Sequence, residues 1–370
     1  MNEITFPWWA WTGFGVFILA MLSIDLGLFN RKAHTPTQKE TFAWSITWVS
    51  MALIFNVLIY FYAREYFAAE PNAGAMAWDI AVKFLTGYLI ELSLSVDNLF
   101  VFLLIFAYFK VPKNLQHRVL FWGVLGALVM RIIMIFIGAE LIERFHWIIY
   151  LFGAFLIYTG IKMFKKEEAE IEPDKNPVVR FVTRFIPITH HYEGEKFFTV
   201  KDGKKVGTLL FLVLIVVEIT DLVFAVDSIP AIFGITTDRF IVYTSNVFAI
   251  LGLRTFFFLL LNVIEKFHFL RFGLAFVLTF IGIKMVLPLL GEGAHYLFAG
   301  NPHLAETIKH YSHIDTTVSL IVVVTALALS IILSLVFPQE KREHIGDVET
   351  EIEEDYAPGD DPESETAKQG

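Results

Sequence analysis

The chain has 370 residues, 56% of them hydrophobic and only 18% charged, with a formal net charge of −9 and a mean hydropathy of +0.60. A soluble domain is about 25% charged and less apolar, so an ordinary soluble protein is excluded. Several runs of about 20 apolar residues, enough to cross ~30 Å of hydrocarbon, instead indicate a polytopic helical membrane protein; with no cysteine, disulfides and thiolate metal ligands are excluded too.

In chain order, spans are expected at residues 7–29, 42–62, 79–107, 119–139, 147–164, 207–233, 240–261, 268–290 and 317–337. The first follows Glu3 rather than a basic region and lacks a small-residue cleavage site, so it is expected to remain as a span. Trp8, Trp9, Trp11, Trp44, Trp48, Trp78, Trp122 and Trp147 mostly fall near span ends, where interfacial anchors belong. Asp25 and Asn56, in the first two spans, are assigned to hydrogen bonding between helices. Arg31, Lys32 and Lys39, then Lys110, Lys113 and Arg118, then the basic loop 165–206, and finally Lys266 and Arg271 fall in alternate loops. The positive-inside rule then predicts an external N-terminus and a cytoplasmic C-terminus.

Residues 165–206 carry Pro173, Pro177 and Pro187 and read as a cytoplasmic linker, with His190 and His191 as solvated loop residues. The stretch 291–315 is expected on the external side as a re-entrant or interfacial segment. Residues 338–370 are acidic and nearly free of large apolar side chains, which predicts a disordered cytoplasmic tail.

An internal repeat organises the middle. ELSLSVDN (91–98) aligns with DLVFAVDS (221–228), Arg131 aligns with Arg254, and residues 143–163 align with 265–285, both ending in Gly-Ile-Lys-Met. Three spans per unit is an odd number, so consecutive units must insert with opposite topology, as in many secondary transporters. The expected fold is therefore all-α, with about nine transmembrane helices and two inverted three-helix repeats. Its parts are two N-terminal helices (1–78), the first repeat (79–164), the linker (165–206), the second repeat (207–290), the external segment with the last helix (291–337) and the tail (338–370).

Carboxylates in the repeat spans carry the chemistry. Each costs ~2.5–3.5 kcal/mol at mid-membrane depth on insertion scales, so each needs a partner. Glu218, Asp221 and Ser228 share one helix face; Asp227 joins them only if the helix breaks at Pro230, which lacks an N–H. In the first repeat Glu91, Ser95 and Asn98 share a face, with Asp97 about 120° away. Acids, an amide, hydroxyls and freed carbonyls suit a hard or intermediate divalent cation such as Mn2+, Mg2+ or Ca2+. Five acids exceed the charge of one such ion, which would link its binding to proton release. The competing reading is that Arg131 and Arg254 pair with the acids to lock helices together; both arginines are better suited to structural or gating roles than to ligation. Asn246 is divided between packing and the site. No HExxH, nucleophile elbow or phosphate-binding glycine loop is present, so no enzyme is expected.

ELSLSVDN, followed by EITDLVFAVDSIPAIFGITTDRFIVYTSNVFAILGLR and GIKM, strongly resembles the TerC family of integral membrane proteins over spans three to eight. The likeness is especially close to its manganese-exporting, alkaline-pH-associated bacterial branch. The resemblance implies Mn2+ efflux across a bacterial inner membrane, with Glu91, Asp97, Glu218, Asp221 and Asp227 as ligands and Asn98 and Ser228 beside the two motif aspartates. It implies no prosthetic group and no nucleic-acid partner, and it is compatible with a homo-oligomer. A Ca2+ or Mg2+ transporter on the same scaffold, or a membrane-embedded assembly or insertion factor, are the alternatives.

Overall fold

The computed structural model describes residues 4–29, 38–165, 187–260 apart from 190 and 202, 269–297 and 314–337. The expected acidic tail, most of the linker and most of the segment 291–315 lie outside these residues. The helices are α1 (Trp8–Phe29), α2 (Gln38–Tyr66), α3 (Ala73–Tyr108), α4 (Lys113–Arg144), α5 (Ile148–Lys165), α6 (Leu209–Phe233), α7 (Arg239–Leu251), α8 (Leu253–Leu260), α9 (Leu270–Leu297) and α10 (Thr316–Val336). Among the described residues, 6 helices are long and apolar enough to cross a membrane, and three shorter apolar segments lie in α1, α5 and α7. The chain is a polytopic helical membrane protein.

Its surface fits that solvent. Val16, Ile54, Leu58, Ile137, Val223 and Ile332 are all more than half exposed, as side chains facing acyl chains should be and as a water-facing surface would rarely tolerate. Trp8, Trp9, Trp78 and Trp147 are likewise exposed near helix ends. Trp48 is not: it is 3% exposed and packs in the core with Ala52 and Phe84. It lies nearly three turns inside α2, well away from the helix end, so it is a packing residue rather than an interfacial anchor.

At the centre, α3 packs against α2, α6, α7 and α10. Rings fill the space between α1, α2 and α7, with Phe55 4.9 Å from Phe248 and Trp11 stacked 5.9 Å from Tyr243. By contrast, α5 and α9 meet through small residues and form the most extensive helix–helix contact among the described residues. A Cβ built on Gly282 would lie 2.6 Å from the Gly153 carbonyl oxygen, and one on Gly160 would lie 2.7 Å from the Ala275 carbonyl oxygen. Without a strong hydrophobic drive in lipid, such backbone approach is what lets dispersion hold two helices together.

Three local features differ from expectation. The span expected at 240–261 is divided at Gly252 into α7 and α8, a glycine costing about 1 kcal/mol in a helix interior. The start of α7 is fixed by Asp238, whose carboxylate accepts from the Phe240 and Ile241 amides at 2.9 and 3.0 Å. The break at Pro230 that would bring Asp227 to the other acids is absent, since α6 runs through it to Phe233. Pro230 sits in the final turn, where its missing N–H removes one hydrogen bond shortly before the helix ends anyway. Finally, the linker contains an antiparallel hairpin, Phe198–Lys201 with Lys204–Gly207, turned at Gly203 (φ +74°) in an Asp-Gly pair. The hairpin segment is tied to the start of α4 by Arg118, which is 2.7 Å from Glu195 and 5.2 Å from the Phe197 ring.

Candidate functional site

Arg131, in the middle of α4, is 1% exposed although α4 is otherwise apolar around it. Its guanidinium draws side chains from three other helices. Nη1 donates to Glu91 Oε1 on α3, to Ser228 Oγ on α6 at 3.3 Å, and to Asn246 Oδ1 on α7 at 3.0 Å. Nη2 lies 3.6 Å from Asp221 Oδ1 on α6. Glu91 and Asp221 are themselves 1% and 3% exposed, and they are the aligned acids of the two repeat motifs.

Neighbouring contacts aim the oxygens. Asn246 Nδ2 donates to the Val242 carbonyl at 2.9 Å, one turn back, which turns the amide oxygen toward Arg131. Ser95, one turn beyond Glu91, donates to Glu91 Oε1 at 3.4 Å. Two carboxylates face one guanidinium, so the cluster carries a formal surplus of negative charge. Its hydrogen bonding is incomplete: Glu91 Oε2, Asp221 Oδ2, and Arg131 Nε and Nη2 are buried with no hydrogen-bond partner, as is Asn98 Nδ2 further along α3. An orphaned buried polar atom costs about 1–3 kcal/mol, more when charged.

The other expected residues divide. Glu218, one turn before Asp221, lays its half-buried carboxylate against Gly126 of α4, where any Cβ would collide with it. Asp227 stays on the face toward α5 because α6 is unbroken, and its Oδ1 accepts from Thr159 at 3.3 Å rather than joining the arginine cluster. Asn98 is buried. The side chains of Asp97, Arg254 and Asp25 lie outside the described residues. Asn56, assigned to helix–helix hydrogen bonding, has a buried Oδ1 with no partner. Among the described residues no three acids or histidines converge closely enough to hold a metal unaided. Sequence reasoning missed Gly126 and Thr159, since neither carries charge; only the spacing of Gly123 and Gly126 hints at a groove along α4.

The arrangement thus holds two like-charged acids from aligned motifs at one buried point, neutralised in part by a side chain of the same chain, with unused oxygen lone pairs.

Comparison with known proteins comes to the same region. The profile of the integral membrane protein TerC family matches residues 76–342. An uncharacterised membrane protein of Myxococcus xanthus is 50% identical over 277 residues, 75% of this chain and 83% of that protein. Alx of Escherichia coli K12, whose name makes it a candidate membrane-bound redox modulator, is 51% identical over 288 residues, 78% of this chain and 88% of its own. A Rickettsia bellii membrane protein is 37% identical over 327 residues, 88% of this chain and 97% of that one. No solved structure matches the chain.

Proposed function

The chain belongs to the integral membrane protein TerC family, and on that premise we propose that it is a divalent-cation exporter that carries Mn2+ out of the cytoplasm through the acids of its repeat spans. One observation carries the reading: Glu91 and Asp221, aligned residues of two separate motifs, converge on the buried Arg131 guanidinium together with the oxygens of Ser228 and Asn246. Structural charge pairs in membranes are costly and need no surplus of acid; an exchanger needs both the surplus and the oxygens.

Two further features support the reading. The α5–α9 crossing exchanges aligned positions, since Gly153 meets Gly282 while Gly160 meets Ala275, and 153 aligns with 275 as 160 does with 282. Reciprocal contacts of this kind are what an inverted repeat about an in-plane pseudo-two-fold axis would produce. The distribution of Lys and Arg supports an external N-terminus and cytoplasmic C-terminus. Asp97, Asn98, Glu218 and Asp227 would extend the ion's path beyond the central pair, and proton release from surplus acids would couple it to proton entry. Thiol–disulfide chemistry, one meaning of a redox role, has no basis in a chain without cysteine.

The test is Mn2+ flux in proteoliposomes holding the purified chain, across an imposed pH gradient. Wild type moves Mn2+, and Asp221→Asn and Glu91→Gln each lose at least tenfold of the rate. Absence of Mn2+ flux in wild type, or unchanged flux in both variants, refutes the proposal; faster Ca2+ or Mg2+ flux would reassign the cargo.

A further inference from the structure

We infer that Glu91, Asp221, Ser228 and Asn246 form a cation cage whose occupant in this conformation is the chain's own Arg131, so that guanidinium and transported ion exclude one another. The inference rests on the transport reading above and adds how the site is loaded and emptied.

Three oxygens of different chemistry, a carboxylate from α3, a hydroxyl from α6 and an amide carbonyl from α7, converge on the single nitrogen Nη1. That is a coordination sphere for a cation, with a nitrogen at its centre. The cage is held from behind, because Asn246 Nδ2 is engaged by the Val242 carbonyl and Ser95 backs Glu91. It would therefore keep its shape when the guanidinium leaves. The fit to arginine is poor. An arginine built as a lock uses its planar fork on a carboxylate in a bidentate pair, whereas here the hydrogen bonds all fall on Nη1, Nη2 comes only within 3.6 Å of Asp221 Oδ1, and Nε has no hydrogen-bond partner. The cage also has capacity that arginine leaves unused, since Glu91 Oε2 and Asp221 Oδ2 are buried without partners. A divalent ion, which gathers oxygens from several directions, would use both.

A tethered occupant solves a physical difficulty of any such carrier. Two bare carboxylates in a water-poor interior are costly, so a cage with nothing to take the ion's place would hold it too tightly to release it. Arg131 supplies positive charge on a long side chain anchored in α4. Its return displaces the ion, and its departure opens the cage.

The experiment titrates Mn2+ into the full chain in detergent and follows the electron paramagnetic resonance signal of the free ion. Flux in proteoliposomes is measured on the same preparations. Arg131→Gln is expected to bind Mn2+ at least tenfold more tightly than wild type and to transport at least tenfold more slowly, because nothing expels the ion. Arg131→Lys, a cation of shorter reach, is expected to fall between the two in affinity. Where Arg131→Gln does not give monodisperse protein, Arg131→Gln combined with Glu91→Gln is compared with Glu91→Gln alone and is again expected to bind more tightly. Equal or weaker Mn2+ binding in the folded variants overturns the inference, because a merely structural arginine would weaken the site when lost. If wild type transports Mn2+ and the variants bind no more tightly, this inference fails alone. If wild type transports none yet the variants bind more tightly, the transport reading fails and the cage stands.

Discussion

Replacing Gly282 by alanine tests whether backbone contact holds the two repeat units together at the α5–α9 crossing. The new Cβ would sit 2.6 Å from the Gly153 carbonyl oxygen and 2.8 Å from the Ile157 amide nitrogen, where ordinary contacts are 3.4–4 Å. Both neighbours are main-chain atoms of the opposite helix, so relief requires moving the helices apart by about 0.7 Å, and overpacking of this kind costs about 1–3 kcal/mol. Alanine also gains up to ~1 kcal/mol of helix propensity over glycine, which would blur the result taken by itself. Gly13 in α1 supplies the reference, for its Cβ would meet nothing within 4 Å. Both substitutions share the propensity gain, so Gly282→Ala should be less stable than Gly13→Ala by about 1–3 kcal/mol, the overpacking cost alone. Unfolding of the purified chain in mixed micelles with rising SDS, followed by circular dichroism, measures the difference. A gap below about 0.5 kcal/mol, well under the overpacking range, would refute the tight crossing and with it the main geometric support for the inverted repeat.

Gly126→Ala should push the Glu218 carboxylate out of its groove on α4 and lower Mn2+ flux at least tenfold, as Glu218→Gln should, while Gly13→Ala keeps the wild-type rate in the same proteoliposomes. Asp238→Ala removes the side-chain cap that accepts from two amides at the start of α7 and should cost about 1 kcal/mol in the same unfolding assay.

Much of this architecture is legible in the chain because lipid permits so few solutions. The boundaries of α6, expected at 207–233 and found at Leu209–Phe233, follow from apolar length, with Thr208 capping the first turn by accepting from Phe211 N. The acids are equally visible, since a Glu or Asp inside such a run has no trivial explanation. Their pairing is not. Arg131 lies 40 residues from Glu91 and 97 from Ser228, and which acids it meets depends on how α3, α4, α6 and α7 pack, a matter of shape rather than composition. The Pro230 argument shows the opposite hazard. A proline in mid-helix would break α6, but Pro230 occupies the last turn, where the helix simply ends, and Asp227 stays facing Thr159. The burial of Trp48 and the division at Gly252 are illegible for a shared reason, because neither the cover over a side chain nor a local halt in a helix leaves a hydropathy signal.

The helix that carries Glu91 outruns a bilayer. With 36 residues, α3 spans about 54 Å, against ~30 Å of hydrocarbon. Set in a membrane, α3 must lean or project beyond the headgroups. Acyl-chain length thereby becomes a mechanical input to the protein, and two membranes of different thickness would not hold the same molecule at the same tilt.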